Sequence, residues 1–181
     1  VDYLTRLDLA EGALKRLALA RGETARMRRL LDEIQLYAKP LTLNLEVLQL
    51  QPFLAGFIED HQSLATTKRQ DVKLAEESGD GLILGDVDRM RQILSNLTQN
   101  ACEAAPDGAS VHWRIFDDET AGTVSLDLHN PGPTIPSALL PRIMEPFVSA
   151  KPSGTGLGLA IVKRLVETQG GDIEIRSNDD E

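Results

Sequence analysis

The sequence is short of cysteine, histidine and aromatic residues, and each shortage removes a class of protein. One cysteine, Cys102, in 181 residues excludes an internal disulfide and fits a reducing compartment. It lies on an apolar helix pattern and reads as a buried thiol. The three histidines, His61, His112 and His129, are scattered, and with one cysteine they supply no zinc-ligand spacing. Aromatics are 4% of the chain, so the core has to be aliphatic. Basic residues are outnumbered 19 to 28, and the net charge of −9 argues against nucleic acid as the main ligand. No apolar run reaches membrane-spanning length, and none reads as a signal peptide. The expectation is a soluble, cytoplasmic piece with no membrane segment, whose parent chain is free to be membrane-anchored.

What is present is enough for one domain and an appendage. Residues 3–38 read as one long helix, about 54 Å at 1.5 Å per residue. Leu7, Ala10, Leu14, Leu17, then Thr24, Met27, Leu31, Ile34 and Ala38 form a 3-4 seam whose register slips near Gly22. Such a seam packs on another helix, in this chain or a partner, or on the following domain; the length favours a helical pair. Pro40 ends the helix, and the chain divides there, into residues 1–40 and 41–181. Beyond it, Leu43, Leu45, Val47 and, after a slip, Leu50 predict a short strand. Pro52 opens a helix over 52–67. Residues 70–73 and 81–85 predict two short strands. Asp86 caps a helix running to about Ala104. Residues 111–116 and 123–128 alternate and predict an antiparallel pair, and residues 172–176 a further strand. Helices interleaved with mostly hairpin-connected strands predict an α+β fold: an α/β sandwich with helices on one face of a mixed sheet.

Three stretches carry chemistry. The first is Gly154-Thr155-Gly156-Leu157-Gly158-Leu159, a glycine-rich loop opening a helix, with Leu159, Val162 and Val166 on one apolar face. A helix start has unpaired N–H groups and positive dipole charge, and glycines let a phosphate chain come close. The spacing is neither a P-loop nor a dinucleotide fingerprint. On this loop alone, a phosphate cradle and a ligand-free helix cap are both open. The second is the helix from Asp86. Val87, Met90, Leu94, Leu97, Ala101 and Ala104 predict a buried stripe, and beside it Asn96 and Asn100 share one face, with Glu103 extending the same edge. These asparagines are either solvent-facing or hard-oxygen ligands for Mg²⁺ and phosphate partners. The third is Asn130-Pro131-Gly132-Pro133-Thr134-Ile135-Pro136, a sharp turn after a strand. It is either a rigid turn or one that presents Asn130 to a base edge.

Taken together, these stretches resemble a known family. Gln92-Ile93-Leu94-Ser95-Asn96-Leu97-Thr98-Gln99-Asn100-Ala101 resembles the N box of sensor histidine kinases. The Asn130 turn resembles their first glycine box, Ile143-Met144-Glu145-Pro146-Phe147 with Lys151 their F box and lid, and the Gly154 loop their second glycine box, in the same order. Residues 41–177 are similar to a catalytic ATP-binding domain of the gyrase, kinase and MutL-like (Bergerat, or GHKL) superfamily, most of all to the nitrogen-regulatory type. The stretch Arg26-Met27-Arg28-Arg29-Leu30-Leu31 up to Pro40 resembles the end of the second helix of the dimerisation hairpin.

The resemblance implies roles. Asn100 would hold Mg²⁺ on the ATP phosphates. Asn96 stands where hydrolytic relatives hold a catalytic Glu, and an amide cannot act as a general base. Lys151 would meet the phosphates from the lid. Gly154, Thr155, Gly156, Leu157 and Gly158 would cradle them, with Glu103 at the edge of the site. Asn130 would receive the adenine amino group beside Gly132, and Ile135 and Phe147 would wall the base pocket. The reaction implied is phosphoryl transfer from Mg-ATP to a histidine, for relay to a response-regulator receiver domain, in a homodimer formed through the N-terminal helix.

Two departures affect the base pocket. Asn130 stands where the family has Asp, and accepts without charge assistance. Thr134 stands where a Gly is usual. The acceptor is also missing. His61 has no proline five residues on, and His112 and His129 are on predicted strands. With one more strand usual after the last one here, the sequence is expected to be part of a longer protein, binding ATP without phosphorylating itself. The competing readings are a Bergerat-fold ATPase and a kinase-like module that only binds a partner.

Overall fold

A computed structural model describes residues 11–65, 69–75, 79–118, 120–151 and 154–178. The chain forms two compact units, Val1–Pro40 and Leu41–Glu181.

The first unit is helix α1, Glu11–Ala38; the expected turns before it lie outside the described residues. Its seam is uncovered: Leu14, Met27, Leu31 and Ile34 are 40–58% exposed. Near the expected register slip, the Thr24 hydroxyl donates to the Ala20 carbonyl (2.8 Å), a back-bond that perturbs a helix.

In the second unit, β1 (Glu46–Gln49) pairs antiparallel with β3 (Leu82–Gly85) as a separate ribbon. The mixed sheet is β2 (Asp71–Leu74), β4 (Ser110–Asp118) and β5 (Thr123–His129), with β2 parallel and β5 antiparallel to β4. Helices α2 (Leu50–Ala65), α3 (Val87–Ala104) and α4 (Gly158–Thr168) complete it. Along β4 the period of two is clean. Val111, Trp113 and Ile115 are buried, whereas His112, Arg114 and Phe116 are exposed. One sheet face therefore takes the helices. Their shared core includes Leu54, Phe57, Leu94, Ala101 and Cys102.

Five expectations change. In β1 the buried residue is Leu48, while Val47 is 70% exposed and Leu45 45%. Leu50 already starts α2, its N–H donating to the Gly81 carbonyl and that of Gln51 to Asp80. The strand therefore reads one residue out of phase, and such a slip reverses every face. Pro52 sits inside the first turn, where its missing N–H costs nothing. On α3, Ala104 is exposed and the buried set is Ile93, Leu94, Thr98, Ala101 and Cys102. Val87, Met90 and Leu97 are partly buried against the core. On α4 the buried set is Ala160, Ile161, Val162 and Leu165, so Leu159 and Val166 only flank it. Residues 172–176 join no ladder. Ile173 and Ile175 alternate half-buried with exposed neighbours, so the pattern is there without the hydrogen bonds that make a strand.

Candidate functional site

The site grows from α3, which is fixed at both ends and in the middle. Asp86 caps it, accepting from the Arg89 N–H (3.0 Å) and, with its other oxygen, from the Asn44 N–H (2.8 Å). The Asn44 bond is the main cause holding this carboxyl below its ordinary range; burial opposes it and the Arg89 N–H assists. At the other end the buried Gln70 amide donates to the carbonyls of Cys102, Ala105 and Pro106 (2.8–3.1 Å). Those are groups a helix end otherwise leaves orphaned. Midway, Trp113 Nε1 donates to Thr98 Oγ1 (3.2 Å), both fully buried, and locks α3 to β4.

Helix α4 runs antiparallel to α3. At its C-terminal end, Gln169 Oε1 accepts from the Asp86 N–H (2.8 Å) and Gln169 Nε2 donates to Leu165 (3.2 Å). At its N-terminal end, a Cβ on Gly158 would lie 3.6 Å from Asn100 Nδ2 and 3.8 Å from Asn96 Oδ1. The two half-buried amides thus face the start of α4. That start has no side-chain cap, because the residue before it is the buried Leu157. The first intrahelical bond is Ile161 N–H to the Leu157 carbonyl (2.8 Å); the N–H groups before Ile161 have no acceptor within the helix. A set of donors, a helix dipole and two carboxamides therefore converge, which suits a polyanion.

The loops close around this point. Lys151 Nζ donates to Glu103 Oε2 (2.5 Å) and to Asn100 Oδ1 (3.4 Å). Glu103 also accepts from Gln99 Nε2 (3.0 Å). Ser149 Oγ accepts from the Lys151 N–H (3.1 Å) and shapes the turn carrying the lysine, with the Gly154 N–H donating to the Lys151 carbonyl. Gly156, at φ +70°, is in the left-handed region, and its carbonyl accepts from the Phe147 N–H (3.0 Å). A Cβ there would meet Phe147 C at 2.5 Å and Val148 N at 2.7 Å. Thr155 Oγ1 accepts from the Leu157 N–H (3.3 Å). The first glycine turn rests on the end of α3: a Cβ on Gly132 would come 3.1 Å from the Ala104 carbonyl oxygen and 3.3 Å from Asn130 Nδ2. Asn130 is half-buried, and Nδ2 donates to the Pro131 carbonyl (3.3 Å).

Asn96, Asn100, Glu103, Lys151 and Gly158 are therefore neighbours, with Gly154, Thr155, Gly156 and Leu157 shaping the loop. Ile135 is held by its N–H bond to Ser177 Oγ (2.9 Å). Phe147 is 68% exposed, and its backbone, at φ +66°, packs on Gly156. Gln70, Thr98, Ser149 and Gln169 brace these elements through hydrogen bonds that no local sequence pattern marks. His61 stacks on Phe57 (centroids 4.0 Å apart) and its Nδ1–H donates to the Phe57 carbonyl (2.9 Å), a structural role. His112 and His129 are register partners on β4 and β5, both exposed. Among the described residues no three His, Cys, Asp or Glu side chains gather to hold a metal. A cation here would take an amide oxygen such as Asn100 Oδ1 together with oxygens of the bound polyanion. No helix among the described residues is long and apolar enough to cross a membrane.

The family profile described as histidine kinase-, DNA gyrase B-, and HSP90-like ATPase matches residues 85–181. Sporulation kinase A of Bacillus subtilis is 31% identical over 158 residues, 87% of this chain and 26% of its own length. The chain thus spans about a quarter of that relative. Full-length ShkA in complex with AMPPNP aligns with a TM-score of 0.74 at 27% identity, covering 91% of this chain and 36% of ShkA. Histidine kinase ThkA in complex with the response regulator protein TrrA aligns with a TM-score of 0.77 at 25% identity, covering 98% of this chain and 52% of ThkA.

Proposed function

This chain belongs to the histidine kinase-, DNA gyrase B-, and HSP90-like ATPase family, and we propose that its second unit, residues 41–181, is a catalytic domain of the sensor histidine kinase kind that binds Mg-ATP for transfer of the γ-phosphoryl group to a histidine. One observation carries the reading: the uncapped start of α4, with Gly158 directly against Asn96 and Asn100 and Lys151 donating to Asn100. Backbone donors there would hold the phosphate chain. Lys151 would swing from Glu103 to the phosphates and offset their charge. Asn100 Oδ1 fits Mg²⁺, a hard cation that favours oxygen ligands; when bound, the ion would neutralise charge developing on the phosphates. Asn96 orients groups without taking protons, which favours positioning over activation of water. Asn130 would meet the base.

Residues 1–40 are proposed as the second helix of a dimerisation hairpin, on the support of the uncovered seam of α1. The acceptor histidine would lie on another helix, and a receiver domain would take the phosphoryl group on. The nitrogen-regulatory subtype remains part of this proposal, resting on the short lid around Lys151.

The test is a calorimetric titration of the chain with a non-hydrolysable ATP analogue, with and without Mg²⁺, repeated on Asn100→Ala. Binding that depends on Mg²⁺ and is lost in the variant supports the reading. No binding at millimolar nucleotide would leave a protein-interaction module as the better account. Steady release of phosphate from ATP by the chain alone would favour a hydrolase.

A further inference from the structure

We propose that Asn130 makes the site tolerant of the group at the 6-position of a purine, so that a 6-oxo nucleotide binds within about tenfold of the adenine one. The inference rests on the nucleotide reading above and concerns which bases that site accepts. Asn130 directly follows β5, is half-buried, and lies beside Gly132, which packs on the Ala104 carbonyl one turn beyond Asn100. Its Nδ2 donates to the Pro131 carbonyl (3.3 Å). That contact sets the amide so that Oδ1 is the arm left for a ligand. An acceptor there suits the 6-amino group of adenine.

A carboxylate in this place would be an acceptor on both arms. Facing the 6-position, it would bond a 6-amino group and repel a 6-oxo oxygen in every rotamer, leaving only the neighbouring N1–H of a 6-oxo purine to donate to it. A carboxamide differs, because half a turn about its last torsion exchanges acceptor and donor without changing shape. The turned amide donates to a 6-oxo oxygen and forfeits its bond to Pro131. That bond is single, neutral and, at 3.3 Å, just longer than the normal range. Losing one ordinary neutral hydrogen bond corresponds to about a two- to twelvefold change in affinity. Facing Oδ1 toward the Pro131 carbonyl pushes the ratio to the upper part of that range. Tenfold is modest: sites whose buried polar groups are left unpaired discriminate by about 10⁴ or more.

The experiment compares ADP, IDP and GDP by calorimetry, each with Mg²⁺, on the whole chain and on Asn130→Asp. IDP replaces the 6-amino group by a 6-oxo group, with N1 becoming N1–H, and keeps the 2-position of adenine free of an amino group; GDP adds that group. With Asn130, IDP is expected within about tenfold of ADP. In Asn130→Asp the gap is expected to open to about a hundredfold or more, through tighter ADP and weaker IDP. GDP weaker than IDP by the same factor in both proteins would assign that loss to the 2-amino group and leave the ADP-to-IDP ratio to report on Asn130. IDP binding a hundredfold weaker than ADP in the unaltered chain, or a ratio that Asn130→Asp leaves unmoved, overturns the inference while the nucleotide site stands. Failure of ADP itself to bind overturns the site and the inference together.

Discussion

Gly158→Ala is expected to make the domain more stable and the site worse. Gly158 is the first residue of α4, at a backbone conformation open to L side chains, and an added Cβ meets only Asn100 Nδ2 at 3.6 Å and Asn96 Oδ1 at 3.8 Å. Those are ordinary contact distances, so no clash opposes the methyl. Replacing glycine by alanine in a helix stabilises it by about 0.5–1 kcal/mol, because the unfolded chain has less freedom to lose. For a domain of this size that raises Tm by roughly 2–6 °C. The same methyl fills the gap between the asparagines and the helix start, where a phosphate group would sit. Hydrogen bonds to a charged partner are each worth about 1.5–3 kcal/mol, so losing one weakens nucleotide binding by roughly 10- to 150-fold. Thermal unfolding without ligand and calorimetry with an ATP analogue read the two effects separately. A variant that melts lower, or binds nucleotide within twofold of the parent, would refute the placement of the phosphates against Gly158.

Gly156→Ala should act differently: φ +70° and backbone atoms of Phe147 and Val148 at 2.5–2.7 Å leave the methyl no room. The loop must move, at about 2–5 kcal/mol for the strained conformation and overpacking combined, read as a lower Tm and lost nucleotide binding. Glu103→Gln should release Lys151 and tighten nucleotide binding by at most about fivefold, since both side chains are over a third exposed; the gain should vanish in high salt. Asp86 carries its own pH signature. Its carboxyl is held below the ordinary value of about 3.9 in the folded state. As pH falls, the unfolded chain therefore takes up the proton first. The stabilisation is complete above the ordinary value and is lost as pH drops through the lowered one. Urea midpoints between pH 5 and 3 should fall more steeply for the parent than for Asp86→Asn. Trp113→Phe should cost about 2–4 kcal/mol by urea unfolding, through a core void and an unpartnered Thr98 hydroxyl.

The local rules wrote much of this fold into the sequence. The alternation on β4, the Asp86 cap, the hairpin of β4 with β5 and the glycine loop opening α4 each depend on neighbours two to four residues apart, so periodicity and capping chemistry suffice to read them. Asn96 and Asn100 share a helix face for the same reason. What only the tertiary structure decided are the contacts between residues far apart in the chain. Nothing near Gly158 announces that it meets Asn100, or near Lys151 that it reaches Glu103. Gln70 closes the end of α3 from the start of a strand, and Gln169 ties α4 to the Asp86 N–H. The phase of β1 was likewise set from outside, by Gly81 and Asp80 accepting the first N–H groups of α2 and starting that helix at Leu50. Residues 172–176 keep the period of a strand but gain no ladder, because a strand is made by its partner. Sequence determined which elements form and which side chains each carries; long-range packing decided which of them meet, and so where an anion would be held.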